Sequence, residues 1–144
     1  MENVQFLSRN LKQIANLYTK ILSKELAAVE LDHHFDILLL LDLQKTPITQ
    51  NKLAELLRLD KSRIVGIIYE LEQKGLIDVK RNPADRREHF INLSDKAKTA
   101  IPAIEKVVTG INDLAKAGIP PDKLLAFIEV SEQLQANLEK ANTI

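Results

Sequence analysis

The chain has 144 residues, the size of a single domain or of one fold with extended arms. Twenty basic side chains balance twenty acidic ones, so no global field of either sign singles out a polyanionic partner. With 45% hydrophobic and 28% charged residues the composition is that of a folded soluble protein rather than a disordered tail. No uninterrupted apolar run exceeds five residues, as in Ile37-Leu38-Leu39-Leu40-Leu41, far short of the roughly 20 needed to cross a bilayer. Residues 1–10 contain Glu2 and Arg9 and lack the apolar centre of a secretory signal, and Cys is absent, which excludes disulfides and thiolate metal sites. A cytoplasmic protein with no membrane partner is expected.

Leu7, Leu11, Ile14, Tyr18 and Ile21 recur at steps of four and three, which predicts an amphipathic helix over about residues 4–28, broken at Leu31 and Asp32. Phe35, Leu38, Leu39 and Leu41 begin a shorter second helix, which Thr46-Pro47-Ile48 cannot continue. Thr49 is a good N-cap for a helix of about two turns carrying Leu53, Ala54, Leu56 and Leu57. Arg58-Leu59-Asp60 interrupts it, with Asp60 as the next N-cap. Ile64, Ile67, Ile68 and Leu71 mark a helix over 61–74 that Gly75 stops. Two short helices joined by three residues, with apolar Leu59 as a plug, predict a helix-turn-helix.

After Gly75 the period changes from helical to alternating. Leu76, Ile77 and Val79, then Phe90, Ile91 and Leu93, predict a two-stranded ribbon around the polar tip Asn82-Pro83-Ala84-Asp85-Arg86-Arg87. A hairpin with a basic tip behind a helix-turn-helix is a wing. Ser94 caps a long helix with Ala97, Ile101, Ile104, Val108, Ile111 and Ala115 on one face, and Pro102 inside it predicts a bend. Gly118 ends that helix and Pro120-Pro121 opens a last one, with Leu124, Ile128, Leu134, Leu138 and Ala141 as its apolar face. The expected class is mainly α (α+β): a winged helix-turn-helix lobe with a small β-hairpin wing, plus long N- and C-terminal helices forming a dimerisation lobe.

The charge is segregated along this plan. Residues 58–98 carry ten basic and seven acidic side chains, against six and seven in 1–57 and four and six in 99–144. Five of the six arginines (Arg58, Arg63, Arg81, Arg86, Arg87) fall within thirty residues. Arginine donates paired hydrogen bonds to phosphates and to guanine edges. The expected interface therefore contains Lys61, Ser62, Arg63, Val65 and Gly66 at the start of the second helix of the motif. Arg63 is placed for a guanine edge, Ser62 for a base or phosphate and Val65 for a thymine methyl. Gln50 and Asn51 open the preceding helix, whose free N–H groups suit a phosphate. Arg86 and Arg87 at the wing tip suit insertion into the minor groove or a clamp on its phosphates. Gly66 weakens its helix but permits close approach, either of DNA or of a neighbouring helix.

The first helix and the last two carry more apolar surface than a module of about 65 residues can cover. Pairing with a second chain answers this. Such a homodimer holds two recognition helices one duplex turn apart and reads a palindrome.

Leu53-Ala54-Glu55-Leu56-Leu57, Leu59-Asp60-Lys61-Ser62, Leu71-Glu72-Gln73-Lys74-Gly75-Leu76-Ile77, the tip 82–87 and Ile91-Asn92-Leu93-Ser94 resemble the multiple-antibiotic-resistance regulator (MarR) family. The stretch Ile119-Pro120-Pro121-Asp122-Lys123-Leu124 is similar to the start of that family's last helix. The Asp-x-Arg element, Asp85 and Arg87, is the specific part. The resemblance implies one MarR-like domain over 1–144, with a DNA-binding lobe at 33–98 and dimerisation helices at 1–31 and 99–144. It implies a homodimeric transcriptional regulator, usually a repressor, released from double-stranded DNA by a small aromatic or amphipathic effector. In that family the wing arginine, here Arg87, reads the minor groove and Asp85 supports it. Gly66 and Glu70 depart from the basic or polar residues many relatives carry there. Ala97 stands where Gly is frequent, and Pro102 is unusual.

The alternative is a winged-helix module that binds protein rather than DNA, in the manner of an antirepressor. His33 and His34, with Glu30, Asp32 and Asp36 nearby, offer the one metal-like cluster. A metal needs three or four converging ligands and His89 lies on the wing, so the pair reads as a solvated junction or pocket lining and no metal or cofactor is expected. No phosphate loop, nucleophile elbow or His-Glu-x-x-His element is present, and no enzymatic activity is expected.

Overall fold

The computed structural model describes residues 6–28 and 34–142. In chain order these form α1 (Leu7–Ala27), α2 (Phe35–Leu43), β1 (Ile48–Thr49), α3 (Gln50–Leu57), α4 (Lys61–Gln73), β2 (Ile77–Arg81), β3 (His89–Leu93), α5 (Asp95–Lys116) and α6 (Pro121–Asn142). The chain divides into two units, Met1–Thr109 and Gly110–Ile144.

In the first unit the core is built from Ile37, Leu38 and Leu41 of α2, Leu53 of α3, Ile64, Ile68 and Leu71 of α4, and Ile77 and Ile91 of the sheet, all buried. Leu22 and Leu26 of α1 and Ala97, Ile101 and Ile104 of α5 are buried as well. Most of the expected stripe on α1 is not. Leu7, Ile14 and Ile21 are exposed, and so is Leu17. Helix α5 runs unbroken through Pro102, whose ring leaves the Lys98 carbonyl without its i+4 donor. In the second unit α6 has no buried residue, and Leu125, Phe127, Ile128, Val130 and Leu138 are exposed.

The helix boundaries follow local chemistry. The Thr49 hydroxyl oxygen accepts from the Lys52 N–H at 3.1 Å, and the Asp60 carboxylate accepts from the Arg63 N–H at 2.7 Å, so both expected N-caps form. Helix α4 ends at Gln73 with Lys74 as its cap, one residue earlier than the sequence pattern suggests, and Gly75 takes a left-handed φ of 71°. Arg58 ends α3 in the same left-handed region, at φ 55°, where a side chain is strained. Leu59 behind it is half-buried and donates its N–H to the Ala54 carbonyl, consistent with a plug in the turn. The Ser94 hydroxyl accepts from the Ala97 N–H and donates to the Gly75 carbonyl at 2.6 Å, joining the start of α5 to the end of α4.

The sheet differs from the expected two-stranded ribbon. It has three antiparallel strands in the order β1-β3-β2, because Ile48 and Thr49 pair with Ile91 and Phe90. The wing register matches the alternation, with Ile77 opposite Leu93 and Val79 opposite Ile91. The extra strand ties the start of α3 to the wing.

Candidate nucleic-acid interface

Helix α4 buries Ile64, Ile67, Ile68 and Leu71 on one side. The opposite side carries Ser62, Val65, Gly66 and Tyr69, spaced i, i+3, i+4, i+7 and all exposed. Four of the expected contact residues, Lys61, Ser62, Val65 and Gly66, thus lie in solvent at the start of this helix. Arg63 is exposed too, but stands one position off the stripe, on the flank that also carries Glu70. Tyr69, 64% exposed, was not among the residues singled out from sequence. An aromatic at seven residues from Ser62 is the signal that would have found it.

Gly66 faces open space on this side of α4. A Cβ there would meet nothing within 4 Å beyond the backbone of its own helical turn, so packing against a neighbouring helix of the same chain is not its reason.

The Asp60 carboxylate also accepts the Ser62 hydroxyl proton at 2.8 Å. These two hydrogen bonds, the Arg63 N–H first, hold the Asp60 carboxyl below its usual range. The Ser62 oxygen therefore remains an acceptor, suited to an exocyclic amine rather than to a phosphate. Glu70 is likewise occupied. Its carboxylate receives His34 Nε2 at 3.2 Å and Lys74 Nζ at 3.3 Å, and these partners, His34 first, lower its pKa. The contact spans 36 residues and links the start of α2 to α4. Of the His cluster, His33, Glu30 and Asp32 lie outside the described residues.

The wing tip is held by its own side chains. The Ala84 N–H donates to Asn82 Oδ1, and the Arg87 N–H donates to Asp85 Oδ1 at 2.9 Å. The Asn82 side-chain amide donates to Glu88 Oε2, while backbone bonds join Asn82 to Glu88 and Glu88 to Asp85. Asp85 thus supports Arg87 through its backbone N–H, leaving the loop fixed and Arg86 and Arg87 exposed. Arg87 also lines a cleft of about 40 Å³ with Thr49, Gln50, Asn51, Glu88 and His89. The first residues of α3 and the wing arginine, 37 positions apart for Gln50, are brought to one place. A larger cavity of about 160 Å³ is lined by the end of α2, the segment 44–47, Ile91-Asn92-Leu93 and Lys98. Among the described residues no helix is long and apolar enough to cross a membrane, and no group of three metal-ligating side chains converges.

Residues 32–89, which contain all of these elements from α2 to the start of β3, match the model of the MarR family. The transcriptional repressor CouR, solved bound to a 23-mer DNA duplex, is similar over 93% of this chain and 95% of its own, at 26% identity and a TM-score of 0.80. The winged lobe, residues 32–89, is of the MarR family. A MarR protein from Peptoclostridium difficile superposes with a TM-score of 0.84 at 17% identity, covering 94% of this chain and 88% of its own. Reduced AbfR, solved bound to DNA, covers 96% and 95% at 21% identity with a TM-score of 0.77. These likenesses extend the MarR fold beyond the winged lobe to nearly the whole chain.

Proposed function

We propose that this chain is a DNA-binding transcriptional regulator that reads a palindromic operator as a homodimer. The carrying observation is the placement of α4's exposed face, the N-terminus of α3 and the wing arginines within one lobe, with Gln50, Asn51 and Arg87 around a single cleft. Two solved proteins of the same fold hold DNA, which supports the reading. The DNA-binding lobe is 33–98, and the flanking segments, 1–31 and 99–144, make the dimer through their helices α1, α5 and α6. Exposed Leu7, Ile14, Leu17 and Ile21 on α1, and exposed Leu125, Phe127 and Ile128 on α6, favour a second copy as their cover.

Lys61 and Arg63 approach the groove with the start of α4, Ser62, Val65 and Gly66 face the bases, and α3's Gln50 and Asn51 meet phosphate. Arg86 and Arg87 reach the minor groove from a tip that Asp85 fixes. The regulator acts as a repressor, and a small aromatic or amphipathic effector releases it by binding better to a dimer whose α4 helices are wrongly spaced. The test is selection of bound duplexes from a random pool, followed by anisotropy titrations. The account expects an enriched palindrome, steep loss of affinity with salt, and a loss of about 1–3 kcal/mol for Arg63→Ala. No enriched duplex, or equal affinity of wild type and Arg63→Ala, contradicts it.

A further inference from the structure

We propose that the outward face of α4 selects its site by thymine C5-methyl groups, with Val65 and Tyr69 as the specificity-determining residues. The inference rests on the DNA-reading function above and names the chemistry that the face recognises. The stripe Ser62-Val65-Gly66-Tyr69 puts two large, largely apolar side chains, 52% and 64% exposed, where a reading helix meets the base edges. In the major groove guanine, cytosine and adenine present hydrogen-bonding edges, and thymine alone adds a methyl group. A valine pressed on an amine or carbonyl edge strips its water and returns no hydrogen bond. Pressed on a methyl, it removes apolar surface from water on both sides.

Of the polar groups beside this face, two have their donor or acceptor capacity partly taken and a third is displaced. Glu70 is held by His34 and Lys74, and the Ser62 hydroxyl donates to Asp60 and keeps only its acceptor capacity for a base. Arg63 stands off the stripe on the Glu70 flank, so it reads from the side of the face rather than its centre. Between Val65 and Tyr69 lies Gly66, with open space where a Cβ would be. That gap lets the helix settle deep enough for both side chains to touch methyls. The Tyr69 ring supplies apolar area while its hydroxyl stays wet or reaches a phosphate. The basic excess of 58–98 supplies the attraction that such neutral contacts lack.

Deoxyuridine differs from thymidine only by the missing methyl, so it isolates this term. Duplexes selected from a random pool by the full-length chain are expected to carry thymines at fixed positions of each half-site. Replacing those thymines by deoxyuridine should weaken wild-type binding about fourfold per methyl touched, so about fifteenfold for two. In Val65→Ala/Tyr69→Ser the thymine duplex binds more weakly and the thymine-to-uracil ratio falls towards one. Both positions are exposed, and an unchanged circular-dichroism melt checks the fold. Arg87→Ala weakens binding to both duplexes and keeps the ratio. Tight wild-type binding with equal affinities for the two duplexes overturns the methyl reading while leaving DNA recognition standing, and so does a ratio that survives in the double variant. Failure to enrich any duplex overturns the function itself, and this inference with it.

Discussion

Adding one methyl group at position 66 separates the demands of the helix from those of the groove. Gly66 sits inside a 13-residue helix, and glycine there is less favourable than alanine by about 1 kcal/mol because more backbone entropy is lost on folding. The alanine Cβ would meet nothing within 4 Å beyond the backbone of its own helical turn, so no steric term offsets that gain. Gly66→Ala should therefore raise the melting temperature of the free protein by about 2–4 °C. Against DNA the same Cβ projects from the centre of the contact face. Overpacking a close-fitting contact costs about 1–3 kcal/mol, which is about 5- to 150-fold in Kd. The variant should be more stable and bind less well, an opposition that neither a folding defect nor a neutral surface change produces. Thermal unfolding by circular dichroism and anisotropy with a labelled operator measure the two terms. Unchanged or tighter binding by a stabilised Gly66→Ala protein would refute the close-approach argument. A lowered melting temperature would refute the reading of the open helix face.

Three further outcomes are expected. Ser94→Ala removes the hydroxyl that caps α5 and bonds the Gly75 carbonyl, and should cost about 1–2 kcal/mol in urea denaturation. Asp85→Ala frees the Arg87 N–H and loosens the wing without removing a cation; affinity should fall by about 0.5–1.5 kcal/mol while the salt slope stays near that of wild type. Asp60 and Glu70 have folded-state carboxyl pKa values below their ordinary 3.8 and 4.5. Their stabilisation is thus present above those values and lost as pH falls through the lower folded ones, so melting temperature should drop on the acid side. Asp60→Asn, which retains a capping side chain, should flatten that acid limb in a pH series of thermal melts.

Much of the lobe was legible because its boundaries are local. Thr49, Asp60 and Ser94 cap the helices that follow them using atoms three residues away, and Gly75 and Gly118 take positive φ where the chain must turn. The wing register follows from alternation about a tip rich in turn residues. Strand β1 escaped because two residues behind Pro47 are too short to show a period, and its pairing lies on the distant β3. Arg58 in a left-handed C-cap runs against residue preference and has no sequence signal. The same holds for the candidate interface. Lys61, Ser62, Val65 and Gly66 could be placed on the open side of α4 from the burial period of its isoleucines. Tyr69, seven residues from Ser62, falls on the same side by the same period, whereas the engagement of Glu70 by His34 depends on a contact made only by the fold.

The proposed function makes one demand of the exposed apolar faces of α1 and α6 and of the outward face of α4: a duplex held by paired chains. Sedimentation equilibrium of the chain with a labelled selected operator weighs that requirement directly. The account predicts a complex of two chains per palindromic duplex, and a half-site duplex that binds far more weakly. A saturated complex with one chain per duplex, formed equally well on the half-site, would contradict it.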